Sequence, residues 1–111
     1  MRRLLRTILL LVLGRNLRIM KMRRGLFCGI RLKIDPVRQL FLIVRDIEPY
    51  LQKMMQKHIK HNDIVFDIGS NIGYTSIAMS KIVGDSGLVY AFEPVPTNID
   101  YFKINIELNK C

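Results

Sequence analysis

Hydrophobic residues recur along this chain with periods that change from segment to segment, and the changes mark out its elements. Leu4, Leu5, Ile8, Leu9 and Val12 fall on one helical face, with Arg2, Arg3 and Arg6 to the other side, predicting an amphipathic helix over residues 1–13. Ile30, Leu32 and Ile34 alternate with Arg31 and Lys33, the period-2 signature of a half-exposed strand. Asp35-Pro36 reads as a turn. Gln39–Val44, apolar and β-branched toward its end, reads as a second short strand that completes a hairpin laid against the domain. Glu48-Pro49 then opens a helix, proline being harmless in the first turn because that N–H has no intrahelical partner. Leu51, Met54, Met55, His58 and Ile59 give this helix a single buried stripe, with His58 read as a packed or edge histidine rather than a base.

The pattern tightens from residue 63. Ile64, Val65, Phe66 and Ile68 form a nearly continuous apolar run, as in a strand buried on both faces of a parallel sheet. A helix carrying Ile72, Ala78, Met79, Ile82 and Val83 follows, closed by Gly84 as a left-handed cap. Asp85-Ser86-Gly87 turns the chain into a second strand, Leu88–Phe92, which ends in Glu93-Pro94. Thr97 with Asp100 reads as the capping box of a last helix whose apolar positions run from Tyr101 to Leu108 and fade at Asn109. Residues 63–109 are thus a β-α-β-α unit, with the right-handed crossover such units nearly always have.

Charge divides the chain. Ten of its 18 basic residues and none of its nine acidic ones lie in residues 1–34, so the net charge of +9 belongs to the amino-terminal third. The remainder has no electrostatic reason to bind nucleic acid. The basic start has two readings: an interfacial helix making peripheral contact with an anionic membrane through residues 1–24, or a helix packed on the domain. Its apolar run, Ile8–Leu13, is much shorter than the roughly 20 residues that span a bilayer. Cys28 and Cys111 form no disulfide framework or metal pair, which points to a reducing, cytoplasmic setting. The divisions that follow are a basic amphipathic segment (1–25), a lead-in hairpin and helix (26–62) and the first half of a nucleoside-cofactor domain (63–111).

Candidate chemistry concentrates in one loop. The strand over 64–68 runs into Asp67, Gly69, Ser70, Asn71 and Gly73, and the next strand ends in Glu93, 20 residues after Gly73. In parallel sheets of this kind ligands sit beyond the carboxyl ends of the strands. Tight strand-to-helix turns need glycine, free N–H groups at a helix start face a ligand, and a carboxylate at the end of the second strand accepts hydrogen bonds from ribose hydroxyls. A dinucleotide fingerprint has G-x-G-x-x-G. Here Asn71 takes the middle glycine position and Tyr74 the third, and no Gly-Lys-Ser/Thr phosphate loop is present. The spacing favours a cofactor without phosphates, namely S-adenosylmethionine, over a nicotinamide dinucleotide. No metal-ligand cluster and no convincing general base is visible.

The segments Val65-Phe66-Asp67-Ile68-Gly69-Ser70-Asn71-Ile72-Gly73-Tyr74, Val89-Tyr90-Ala91-Phe92-Glu93-Pro94 and Asn105-Ile106-Glu107-Leu108-Asn109 resemble the FkbM-type family of class I S-adenosylmethionine-dependent methyltransferases. The resemblance covers about residues 26–111. It implies an α/β, Rossmann-like class I methyltransferase fold, with Asp67, Gly69, Ser70, Asn71 and Gly73 beside the methionine and ribose of the cofactor and Glu93 on the ribose hydroxyls. It also implies that Glu48 lines the same cleft, and that the acceptor is a hydroxyl of a glycan or small molecule. A whole domain of that type has about seven strands, and this sequence supplies two of them. The expectation is therefore a fold truncated after the second strand and helix of its parallel sheet, whose central strand becomes an aggregation-prone edge. The other functions in view are an inactive remnant and an NAD-dependent oxidoreductase.

Overall fold

A computed structural model describes residues 4, 7, 8, 11, 12, 17–39 and 41–111. The amphipathic helix expected over residues 1–13 lies partly outside them. Leu4, Ile8, Leu11 and Val12 are helical and exposed, so these four are not packed on the domain. Among the described residues no helix is long and apolar enough to cross a membrane.

The chain is α/β, with two separate strand pairs among the described residues. Strand β1 (Arg18–Lys21) runs antiparallel to β2 (Arg31–Ile34), in a register that sets Arg18 opposite Ile34 and Lys21 opposite Arg31. The alternation at Ile30, Leu32 and Ile34 therefore does mark a hairpin strand, but its partner lies upstream. Gln39 and residues 41–44, expected in that partner, instead belong to two short helices, α1 (Pro36–Gln39) and α2 (Phe41–Val44). The reason lies at Asp35. Its Oδ1 accepts the N–H of Val37 at 2.9 Å, while its own N–H donates to Gln39 Oε1 at 2.9 Å. This reciprocal cap, with Pro36 next in the chain, starts a helix where the dipeptide alone reads as a turn.

Helix α3 (Pro49–His58) starts where expected. Its buried side chains are Gln52 and Met55, whereas His58 is exposed. Gln52 is sheltered because its amide is satisfied on both sides. It accepts the Leu26 N–H at 2.6 Å and donates to Asp46 Oδ1 at 2.7 Å and to the Ile47 carbonyl at 2.6 Å.

Strand β3 (Ile64–Ile68) pairs in parallel with β4 (Leu88–Phe92) through the crossover helix α4 (Tyr74–Val83), Ile64 opposite Leu88 and Ile68 opposite Phe92. Only one face of this pair is covered. Ile64, Phe66 and Ile68 are 65%, 60% and 76% exposed, and so the strand expected to be buried on both faces is buried on one. Gly84 ends α4 at φ of +72° and ψ of −170°, a conformation essentially confined to glycine and distinct from the left-handed cap expected.

The last helix, α5 (Pro96–Leu108), has Val95 as its cap and no side-chain capping bond, so the Thr97–Asp100 box does not form. Pro96 in its first turn fixes the start ahead of Thr97. α5 reaches back to the first strand pair through two asparagines. Asn105, fully buried, accepts the Lys33 N–H at 2.7 Å and donates to the Ile72 carbonyl at 2.8 Å. Asn109 accepts the Arg31 N–H at 3.0 Å and donates to the Arg31 carbonyl at 2.7 Å. The main core lies between the lead-in and α4, where Phe27, Ile30, Leu32 and Ile34 meet Ile72, Ile77 and Ala78.

Candidate cofactor site

The loop between β3 and α4 is held from below by Asp67. This carboxylate is buried, and its Oδ2 accepts the hydroxyls of Thr75 at 2.8 Å and Ser76 at 2.5 Å. Two short hydroxyl side chains in the first turn of a helix satisfy a buried anion and fix the angle at which the helix leaves the strand. Asp67 thus supports the loop from within. Thr75 and Ser76 were not singled out from the sequence, although a Thr-Ser pair just past a D-x-G loop is the available signal.

The two loop glycines do different work. Gly69 sits at φ of +84°, and a Cβ placed there would meet nothing within 4 Å, so its backbone borders open space. Gly73 sits at φ of +99° and is buried, and a Cβ there would come within 3.0 Å of the Phe102 ring. Gly69 leaves room for a ligand, while Gly73 lets α5 close against the loop. Ser70 is buried between them, and Asn71, exposed, takes the left-handed conformation at φ of +51° that asparagine tolerates.

The loop's N–H groups are largely committed within the protein. Those of Gly69 and Ser70 both donate to the Phe92 carbonyl, at 2.9 and 3.0 Å. That of Gly73 donates to the Ser70 carbonyl at 2.9 Å, and that of Asn71 to Glu93 Oε2 at 2.9 Å. A phosphate cradle needs several such groups free. The N–H groups of these four loop residues are committed within the protein.

Glu93 stands half-exposed at the end of β4. Its Oε1 accepts the N–H of Val95 at 2.9 Å and the Asn98 amide at 3.2 Å. The Val95 N–H, with help from Asn98 and the Asn71 N–H, holds its carboxyl below the usual carboxylate range. A carboxylate offers about four acceptor positions. Three are occupied, leaving one open, and the 3.2 Å contact from Asn98 is the longest of the three. A cavity of about 250 Å³ beside it is lined by Ser70, Ala91, Ile99, Phe102 and Lys103.

At the other end of the loop, Tyr74 donates its hydroxyl to Glu48 Oε2 at 2.9 Å and packs edge-on against Phe27, with ring centroids 5.2 Å apart. Burial, and then the Glu48 carboxylate, push the Tyr74 hydroxyl well above its ordinary pKa. So the lead-in reaches the loop through Tyr74, and carboxylates flank the loop on both sides. The donor set fits a ribose-bearing cofactor: an ionised acid and an open glycine beside it. Among the described residues no group of three or more His, Cys, Asp or Glu gathers to hold a metal.

Comparison with known proteins bears on which cofactor this is. The family model described as the TRM5/TYW2 methyltransferase domain matches residues 27–111. A protein-L-isoaspartate O-methyltransferase of Fervidobacterium nodosum is 34% identical over 62 residues, covering 54% of this chain and 31% of that protein. The chain thus spans about a third of that relative's length. No solved structure matches. The matching model is not that of the FkbM family, yet both are class I S-adenosylmethionine-dependent methyltransferases, and methyltransferase families of this type use S-adenosylmethionine. The match covers most of the sequence, and the chain belongs to the TRM5/TYW2 methyltransferase domain family.

Proposed function

We propose that this protein transfers a methyl group from S-adenosylmethionine to an oxygen acceptor, a hydroxyl of a glycan or small molecule. The observation that carries the cofactor half of this reading is the loop itself, open at Gly69, bordered by Glu93 and with the N–H groups of Gly69, Ser70, Asn71 and Gly73 committed within the protein. The acceptor half has two supports: the similarity of the D-x-G-x-N-x-G and A-F-E-P segments to FkbM-type enzymes, and a relative named as an O-methyltransferase.

The cofactor supplies an electrophilic methyl carbon on a sulfonium. This chain's residues do the positioning: Glu93 accepts hydrogen bonds from the ribose, the Gly69 backbone permits close approach, and Asp67 keeps the loop from shifting. In an in-line displacement, holding donor and acceptor at near-attack distance supplies a large part of the rate. The general base for the acceptor is not among the residues gathered at this loop.

Calorimetric titration with S-adenosylhomocysteine and with NAD tests the reading. S-adenosylhomocysteine is expected to bind and NAD not. Glu93→Ala is expected to weaken the former by about tenfold or more, since hydrogen bonds to a charged group contribute ~1.5–3 kcal/mol. Binding of NAD alone would turn the assignment to an oxidoreductase.

A further inference from the structure

The basic amino-terminal third takes no part in the cofactor loop, and its aliphatic side chains stand uncovered. Leu4, Ile8, Leu11 and Val12 are helical, and their spacing of i, i+4, i+7 and i+8 places them on one face. They are between 49% and 81% exposed. A stripe of this kind normally turns toward a core, but here the core is closed without it, by Phe27, Ile30, Leu32 and Ile34. Leu17 and Ile19 carry the exposed aliphatic series on into β1.

A second feature lies beside β1. An open cavity of about 790 Å³ is lined by Ile19, Met20 and Lys21 of β1, by Arg23 and Arg24 just after it, and by Ile43 of α2. Its lining pairs three cations with three apolar side chains. Among the described residues no acid lines it, and none of the three cations has an ion-pair partner. The neighbourhood does not compensate them either, since residues 1–34 hold ten basic groups and no acidic one. Uncompensated positive charge beside exposed aliphatic surface suits an amphiphile with an anionic head.

Two classes of polyanion carry the matching charge, and the residues between the cations separate them. Surfaces for single-stranded nucleic acid interleave cations with aromatic rings on which bases stack. The first aromatic residue of this chain is Phe27, and it is fully buried. The exposed residues among the cations are leucine, isoleucine and valine, which fit the acyl boundary of a bilayer. We propose that the amino-terminal stripe and the cavity over residues 19–24 together form a docking surface for a membrane rich in anionic phospholipid. The stripe enters the acyl boundary, and Lys21, Arg23 and Arg24 take the headgroup phosphates. The chain then lies on the membrane surface through these residues.

Vesicle flotation of the full chain tests the proposal. The chain is expected to float with vesicles of phosphatidylcholine and phosphatidylserine, to stay behind with phosphatidylcholine alone, and to bind less as salt rises. Arg23→Gln combined with Arg24→Gln is expected to weaken partitioning about tenfold or more, each cation near an anionic surface contributing about fivefold. Leu11→Gln combined with Val12→Gln should weaken it about tenfold as well, through lost apolar burial, and leave the salt dependence unchanged. All four positions are exposed, so circular dichroism should not change. Phe66→Thr, on the bare face of the parallel pair, should float as the wild type does. Flotation that ignores phosphatidylserine, or that survives both double variants, overturns the proposal. So does flotation abolished by Phe66→Thr alone, which would mean adhesion through the sheet. Binding of a short RNA without flotation would assign the surface to nucleic acid instead. Calorimetric binding of glycerol 3-phosphate without flotation would reduce the cavity to a site for a free phosphate ester.

Discussion

The two strand pairs of this molecule are built from similarly apolar residues and bury them very differently. In the antiparallel pair, Leu32 and Ile34 project into a core closed by Phe27, Ile30 and α4. In the parallel pair, Val65 and Val89 pack against that core from one side, while Ile64, Phe66, Ile68, Leu88, Tyr90 and Phe92 lie on an exposed face. The exposed aromatics cover one another instead: Phe66 stacks on Tyr90 at 5.2 Å and on Phe92 at 6.0 Å. The recognisable motif therefore sits on the less buried half, and the lead-in that nothing in the motif requires supplies much of the core. Stability and chemistry are placed in different parts of the chain and meet at Tyr74.

If that division is right, the largest loss comes from the lead-in. Phe27→Ala removes a fully buried ring and its edge contact with Tyr74, and is expected to cost about 3–5 kcal/mol in chemical denaturation. It should also release Tyr74 and weaken S-adenosylhomocysteine binding in whatever fraction stays folded. A loss below about 1 kcal/mol would show that the core is not where the burial places it.

The next effect concerns the joint between the halves. Asn105→Ala strands the Lys33 N–H and the Ile72 carbonyl, and is expected to cost about 2–6 kcal/mol, given roughly 1–3 kcal/mol for each buried group left unsatisfied. Asn105→Asp sharpens the point, because it keeps the acceptor for Lys33 and loses the donor to Ile72. An unchanged denaturation midpoint for both variants would mean that the halves are held by apolar contact alone.

The smallest effect on stability is expected on the exposed face. Phe66→Thr keeps a strand-forming residue and gives up only a solvent-facing stack, for a change of about 1 kcal/mol or less. Light scattering of the same sample should show less association, because the apolar patch is broken. A loss as large as that of Phe27→Ala would erase the contrast between the two halves.

Legibility in the sequence follows the same division. The β-α-β-α unit can be read because strand and helix periods there are long, uninterrupted and punctuated by glycine. The loop residues Asp67, Gly69, Ser70, Asn71 and Gly73 fall together with Glu93 as the spacing predicts, although Asp67 and Ser70 turn inward and Gly73 closes on Phe102. The lead-in is harder to read for particular reasons. Strand β1 hides in a basic run, because Ile19 faces outward and only Met20 is partly covered. Residues 39–44 have the composition of a strand, but Asp35 nucleates helix immediately ahead of them. Asn105 and Asn109 interrupt an apolar helix as ordinary polar residues would, and only their spacing of four hints that both face the same neighbour.

That spacing has a consequence beyond holding the halves together. The outward-facing groups of β2, the Arg31 N–H and carbonyl and the Lys33 N–H, are the ones a further strand would pair with. Asn105 and Asn109 present an amide to each, and the Arg31 guanidinium adds a bond to the Leu108 carbonyl. Chemically α5 is thus a third strand drawn in side chains. It terminates the sheet from within the molecule and denies a foreign chain the template that an open edge would provide. Polymerisation by strand addition is closed off at β2 by two amides, at no cost in sheet length.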